Sequence, residues 1–159
     1  MPERKGDHAN VNQDRKKALV IGISDYDDLM SLNLCKNDAD ELSRVLEKQG
    51  YELTDKNKLT GRVTAKTMRE AIYDFFNDDY VKPKDTLLFY FSGHGLPDGF
   101  GNHYLAASDT AKDKPGREAI SFNDLHIFIK SIFVSFILCQ CNKIQSNILS
   151  NKSIMHFLV

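Results

Sequence analysis

The sequence predicts an α/β fold in which a largely parallel sheet is covered by helices on both faces, and three observations carry that expectation. Short, nearly continuous apolar runs at Ala18-Leu19-Val20-Ile21-Gly22-Ile23, Leu87 to Phe91 and Ile132 to Cys139 have the character of strands buried on both faces. The stretches between them repeat apolar residues at helical spacing, so strands and helices alternate along the chain. A chain of 159 residues, 42% hydrophobic and 27% charged, suits one soluble domain built on a single core.

Residues 1–16 are polar and charged apart from Val11, too little apolar surface to offset ordering entropy, so a flexible leader is expected there. Ala18 to Ile23 reads as the first, central strand. Between Asn37 and Gly50 the residues Ala39, Leu42, Val45 and Leu46 recur at i, i+3, i+6 and i+7. With Asn37 or Asp38 as cap and Gly50 just past the end, they predict an amphipathic helix. Tyr51 to Leu59 supplies a second strand. Thr64 to Tyr80 supplies a second helix through Met68, Ala71, Ile72, Phe75 and Phe76, stopped by Lys82-Pro83.

Asp85-Thr86 leads into the third strand, Leu87 to Phe91, whose carboxyl end carries Ser92-Gly93-His94-Gly95. After a glycine-rich loop, His103 to Ala107 predicts a short strand, and Ser121 to Lys130 a third helix with Ser121 as cap and Asp124 at its third position. Ile132 to Cys139 is the fourth core strand. Residues 142–159 have no strong caps and end on the apolar Phe157-Leu158-Val159.

Composition argues against several classes of function. A net charge of −1 gives no electrostatic reason to expect nucleic acid or an anionic membrane as partner. The longest apolar run is broken by Lys130 and two serines and is too short to cross a bilayer. Three cysteines, an odd number, and the lack of a secretory leader pattern lead us to expect a reducing, cytoplasmic setting. A nucleotide-binding domain is disfavoured, because no Gly-x-Gly-x-x-Gly follows the first strand and no Gly-Lys-Ser/Thr occurs.

In an open parallel sheet, catalytic groups gather beyond the carboxyl ends of the strands. His94 and Cys141 both belong to such ends. The glycines beside His94 allow a sharp turn and a close approach of backbone to substrate. A thiol becomes a strong nucleophile only as thiolate, so it needs a base that later protonates the leaving group, and these two residues are the candidate pair. Plainer readings stand beside this one. His94 alone is an ordinary loop histidine, and Cys141 alone a small buried hydrophobe at a strand end. Phe75, Phe76, Phe89 and Phe91 read as core, Asp25, Asp27 and Asp28 as a solvated loop, and His103 and His126 lack metal-ligand spacing.

Taken in order, Lys17-Ala18-Leu19-Val20-Ile21-Gly22-Ile23, Leu34-Cys35-Lys36-Asn37-Asp38-Ala39 and Phe89-Tyr90-Phe91-Ser92-Gly93-His94-Gly95 resemble the caspase-like C14 peptidases of the metacaspase type, over residues 17–141. His94 precedes Cys141 by 47 residues, in accord with the roughly 50-residue offset of the caspase histidine. The resemblance implies a caspase-like three-layer fold and a cysteine endopeptidase. It implies His94 as general base and acid, Cys141 as nucleophile, and the amides of Gly95 and Cys141 as oxyanion hole. It also implies Cys35, Asp38 and Ser92 as a pocket for a basic P1 side chain, hence a polypeptide substrate cut after Arg or Lys.

Two departures qualify those implications. The family pattern Leu-Asp-x-Cys-His-Ser-Gly corresponds here to Leu138-Cys139-Gln140-Cys141-Asn142-Lys143-Ile144. Cys139 therefore replaces a pocket acid, which weakens the preference for Arg or Lys, and no glycine follows for the turn that orients the thiol. The thiol chemistry requires no cofactor, but calcium-dependent relatives imply a Ca2+ site at Asp109, Asn123 and Asp124, whose oxygens are suitable hard ligands. Because the family fold continues well past the nucleophile, residues 142–159 read as an unmatched tail and the domain is expected to lack its C-terminal part. The alternative to a peptidase is an inactive caspase-like fragment or interaction module. The sequence assigns no oligomeric state.

Overall fold

The structure, a computed structural model, describes residues 14–78, 81, 84–130, 135–142 and 154–158; residues 129, 130, 135–142 and 154–158 are described through their backbone. The leader expected over residues 1–16, the start of the strand expected from Ile132 and most of the 142–159 tail thus lie largely outside the described residues.

Strand β1 (Lys16–Ile23) pairs in parallel with β2 (Lys58–Gly61) on one side and with β3 (Thr86–Pro97) on the other. Past β3, two further strands extend the parallel sheet, at Ser135–Asn142 and then Ile154–Leu158. The period-two alternation of the strands splits their apolar residues between two cores. Ala18, Val20 and Tyr90 pack under helix α1 (Cys35–Lys48) with Ala39 and Leu46. Leu19, Ile21, Ile23, Leu87, Phe89 and Phe91 pack under α2 (Ala65–Phe76) with Met68, Ile72, Phe75 and Phe76. Burial of each large side chain contributes about 1.5–3 kcal/mol. These two cores are why the nearly continuous apolar runs form a parallel sheet with a helix layer on each face, as the sequence predicts.

Strand β4 (His103–Ala106) folds back antiparallel onto Gly95–Pro97, and β5 (Ala119–Ser121) pairs with β4. A single turn, α3 (Pro115–Glu118), precedes β5, and α4 (Phe122–Lys130) follows it. Neither α3 nor β5 has a sequence signal long enough to be read. The strands at Ser135–Asn142 and Ile154–Leu158 are β6 and β7. Ser121 caps α4 as expected, its hydroxyl accepting the Asp124 amide at 3.0 Å.

Several boundaries differ from expectation for identifiable reasons. Helix α1 begins at Cys35, and neither Asn37 nor Asp38 caps it. The Ser24 hydroxyl, 12 residues upstream, accepts the Lys36 amide at 3.0 Å and acts as the cap from a neighbouring loop. Val45 is 54% exposed, and Ser43 takes its place on the buried face. Ser43 satisfies its hydroxyl by donating to Ala39 O at 2.7 Å, so a polar residue occupies an apolar stripe. At the other end Gly50, at φ 81°, closes the helix in a Schellman motif, with Tyr51 N–H donating to Leu46 O. Strand β2 starts only at Lys58, α2 ends at Phe76, and the last expected core strand, described over Ser135–Asn142, runs past Cys139.

Candidate active site

The strand bearing His94 does not end at Phe91. β3 continues to Pro97 because β6 pairs with it as far as His94↔Asn142, and β4 takes over from Gly95↔Leu105. β1 stops sooner, with its last partner pair at Gly22↔Ser92. Residues Gly93 to Gly95 therefore run past the end of β1, the switch-point position where parallel sheets bind ligands.

The loop that leaves β1 folds against this overhang and is tied down along its length. Ser24 and Asp25 donate their amides to Gly61 O at 3.1 and 3.3 Å, and Asp27 N–H donates to Ser108 O at 2.8 Å. Asp28 Oδ2 accepts the Lys112 amide at 2.9 Å. The Asp27 carboxylate pairs with the Arg62 guanidinium, at 2.9 Å between Nη2 and Oδ2, and that hydrogen bonding holds its carboxyl below the ordinary value. The acidic loop is solvated as expected, Asp25 included. Asp27 and Asp28 are exposed, yet both anchor the loop to neighbouring segments.

What the loop delivers is a cradle for His94. The Tyr26 hydroxyl accepts the His94 backbone N–H at 2.9 Å, and the two rings meet edge to face with centroids 4.7 Å apart. Met30 O lies 2.7 Å from His94 Nε2. A carbonyl oxygen can only accept, so this contact assigns the ring proton of the neutral imidazole to Nε2 and leaves Nδ1 as the basic nitrogen. The sequence reading misses both Tyr26 and Met30. A bulky aromatic inside an acidic loop directly after the central strand is a usable signal for Tyr26, whereas any residue could supply the Met30 carbonyl.

Cys35, Asp38 and Ser92 come together beside this cradle. The register pair Gly22↔Ser92 sets Ser92 next to a glycine so crowded that a Cβ there would lie 2.4 Å from Cys35 O and 2.5 Å from Ala39 Cβ. Only glycine lets the first turn of α1 sit directly on the end of β1. Burial pushes the Cys35 thiol up from its ordinary value, the Ser92 hydroxyl partly offsets this, and the Asp38 charge raises it further. Ser92 is buried, and its Oγ has no hydrogen bond of normal geometry among the described residues, so its contact with the thiol is a loose one.

The remaining candidates are placed as follows. Cys141 lies on β6 in register with Gly93, one residue short of the pair His94↔Asn142; Gly95 is buried and in register with Leu105 of β4. Asp109 Oδ1 accepts the Ala65 amide at 2.7 Å at the start of α2, and Asn123 and Asp124 lie in the first turn of α4. Asp109 thus already commits one oxygen to a helix end. Among the described residues no three His, Cys, Asp or Glu side chains gather into a group that could hold a metal ion. No described helix is long and apolar enough to cross a membrane.

A parallel sheet between two helix layers, extended by an antiparallel ribbon past the end of its third strand, is the fold of a caspase-type domain. The caspase-domain profile, peptidase C14, matches residues 15–149, and the chain belongs to that family. It is similar to metacaspase-1 of Candida albicans, 33% identical over 101 residues covering 56% of this chain and 22% of that protein. It is also similar to metacaspase-2 of Trypanosoma brucei brucei, 33% identical over 86 residues covering 50% of this chain and 25% of that protein. The matched segment therefore spans about a quarter of the length of these curated relatives. Among solved structures, pro-sf-caspase-1 shares the fold with a TM-score of 0.59 at 18% identity, over 95% of this chain and 60% of that one. The Geobacter sulfurreducens protein GSU0716 does so with a TM-score of 0.61 at 16% identity, over 80% and 50%. The family is one of cysteine peptidases.

Proposed function

We propose that the chain carries the catalytic dyad of a cysteine endopeptidase that cleaves polypeptides after Arg or Lys, with His94 as base and Cys141 as nucleophile. The observation that carries the proposal is the parallel register of β3 and β6, in which Cys141 is the partner of Gly93, next to His94. Adjacent strands lie about 4.8 Å apart, so the backbone of Cys141 runs alongside that of the base.

In the proposed reaction, Nδ1 of His94 takes the proton of the Cys141 thiol, and the thiolate attacks the scissile carbonyl carbon. The carbonyl oxygen, now an oxyanion, is received by the amides of Gly95 and Cys141. Collapse breaks the C–N bond, the proton on Nδ1 goes to the departing amine, and a thioester to Cys141 remains. Water, deprotonated by the same nitrogen, attacks the thioester carbonyl, and breaking of the C–S bond restores the thiol. The Nε2 hydrogen bond to Met30 O persists throughout and stabilises the imidazolium stage. A basic P1 side chain is read by Asp38, with Cys35 and Ser92 beside it. The buried Ser92 hydroxyl, without a partner of normal geometry among the described residues, is a group that a bound ligand would satisfy.

No step runs through calcium. The test is hydrolysis of an Arg-containing fluorogenic peptide by the full chain, with and without calcium, against Cys141→Ala and His94→Ala. Turnover abolished by both changes supports the dyad; turnover unaffected by either rejects it. A second reading, an inactive caspase-like interaction module, is favoured by Asn142-Lys143-Ile144 in place of the glycine-containing turn after the nucleophile. Absence of turnover in a chain that melts cooperatively would support that reading instead.

A further inference from the structure

We infer that Tyr26 is a positioning residue for His94, and that Gly93 is the residue that admits it. The inference rests on the reading of His94 as the base. It starts from a gap in strand pairing: β1 stops pairing with β3 at Gly22↔Ser92, so the His94 amide lies where β1 offers no further backbone acceptor. An amide in this half-buried setting needs an acceptor. The Tyr26 hydroxyl supplies it at 2.9 Å, a side chain standing in for the strand that has ended.

The same side chain touches the reacting ring. Tyr26 packs against the larger core, so its ring is held from behind while its edge contact with the imidazole is 4.7 Å between centroids at 65°. Met30 O holds the ring at Nε2. A change of χ1 or χ2 at His94 would break both ring contacts together, so one rotamer and one tautomer are selected and Nδ1 remains the basic nitrogen. Gly93 is what permits this. A Cβ at residue 93 would lie 2.6 Å from the Tyr26 hydroxyl and 2.7 Å from Phe91 Cζ, and an alanine there would drive the phenol off the His94 amide. The glycine before the histidine thus serves a side-chain approach, whereas the sequence alone suggests a sharp turn and a close approach of backbone to substrate.

The test compares the full chain with Tyr26→Phe, Tyr26→Ala and Gly93→Ala. The first readout is the 15N spectrum of the neutral His94 imidazole, which does not depend on turnover. One tautomer, protonated at Nε2, is expected in the unaltered chain, and a mixture in Tyr26→Ala and Gly93→Ala. The second is peptide hydrolysis. Loss of positioning predicts kcat lower by about 100-fold in Tyr26→Ala with KM little changed. Tyr26→Phe keeps the ring and loses the acceptor, so a loss of about 5–10-fold is expected, the effect of one hydrogen bond. A Tyr26→Ala chain that fails to melt cooperatively shifts the decision to Tyr26→Phe and to the spectra. Unchanged tautomer and kcat in a folded Tyr26 variant would overturn the inference. If His94→Ala leaves turnover intact, it is the base assignment that fails, and the spectra still report whether Tyr26 holds the ring.

Discussion

Gly22 and Cys35 are in contact through the space a side chain would fill: a Cβ on Gly22 would lie 2.4 Å from the Cys35 carbonyl oxygen. This contact sets how closely α1 sits on β1, and through it how closely Cys35 and Asp38 approach Ser92. Because the obstructing atoms are helix backbone and Ala39 Cβ, they cannot move without the helix moving. Gly22→Ala is therefore expected to destabilise the fold by about 1–3 kcal/mol, the range for overpacking. Urea unfolding checks this, and a midpoint equal to that of the unaltered chain would show that α1 yields freely. In peptide hydrolysis the same variant should raise KM for Arg and Lys substrates, because the proposed pocket loses its shape.

Asp85 is buried at the start of β3, and Arg15 reaches it from the start of β1. The carboxylate accepts the Arg15 main-chain amide at 2.9 Å and its guanidinium at 3.3 and 3.4 Å. The two strand starts are thus joined by one acid. The Arg15 side chain is 31% exposed, so its share of the interaction is screened. Asp85→Ala should cost about 2–3 kcal/mol, since it removes all these bonds at once and takes an acceptor from the half-buried Arg15 amide. Arg15→Ala should cost about 1 kcal/mol, because the main-chain bond survives. Equal losses in chemical denaturation would contradict this division.

Asp40 and Asp98 both titrate at about 2 rather than 3.8, for different reasons. Asp40 lies between two cations, Lys36 at 2.7 Å and Lys58 at 2.8 Å, and so ties α1 to β2. The lowering at Asp98 comes from hydrogen bonds to neutral donors. It accepts the Phe100 and Asn102 amides at 2.8 and 2.9 Å, the Asn102 side chain at 2.7 Å and the Tyr104 hydroxyl at 3.0 Å. Both folded values lie below the unfolded one, so the stability each contributes is present above about pH 4 and is lost as pH falls through about 2. Carboxyl 13C titration should show the two midpoints together at low salt. In 1 M NaCl the Asp40 midpoint should rise toward 3.8 while that of Asp98 stays low, because salt screens cations and leaves hydrogen bonds to neutral donors in place. Parallel movement of the two would refute the distinction.

The parts of this molecule that the sequence makes legible are those where one local rule has no competitor. Leu87, Phe89, Tyr90 and Phe91 are buried and Leu88 is half-buried, on both faces of the sheet, so an unbroken apolar run predicts the strand, and Ser121 caps its own helix. The misses share a different cause, a partner distant in the chain. Ser24 caps α1 from another loop, so Asn37 and Asp38 lose that role. Ser43 is buried where periodicity favours Val45, because its hydroxyl is satisfied by the turn below. At the candidate site the motif Ser92-Gly93-His94-Gly95 marks the histidine, yet what holds it comes from Tyr26 and Met30, 68 and 64 residues away. No local pattern encodes that approach. It becomes visible only once the unequal lengths of β1 and β3 are known.

The Cys35 thiol offers a chemical measure of how closely Asp38 faces it. Burial is the main reason the thiol is raised above its ordinary 9.0, with the Asp38 charge adding to it against the opposing Ser92 hydroxyl. Only the thiolate is alkylated, so Cys35 should react with iodoacetamide more slowly at pH 8 than an unstructured cysteine does. With Cys139 and Cys141 replaced by serine, Cys35 is the one thiol left to report. Asp38→Asn removes a charge and keeps the shape, so the pH midpoint of alkylation should fall; Ser92→Ala removes the group that favours the thiolate, so it should rise. Opposite movements of these two midpoints would place carboxylate, thiol and hydroxyl in one pocket, on which the proposed preference for a basic side chain depends. If neither substitution moves the midpoint, the three groups do not sense one another, and Asp38 cannot be the acid that reads Arg or Lys.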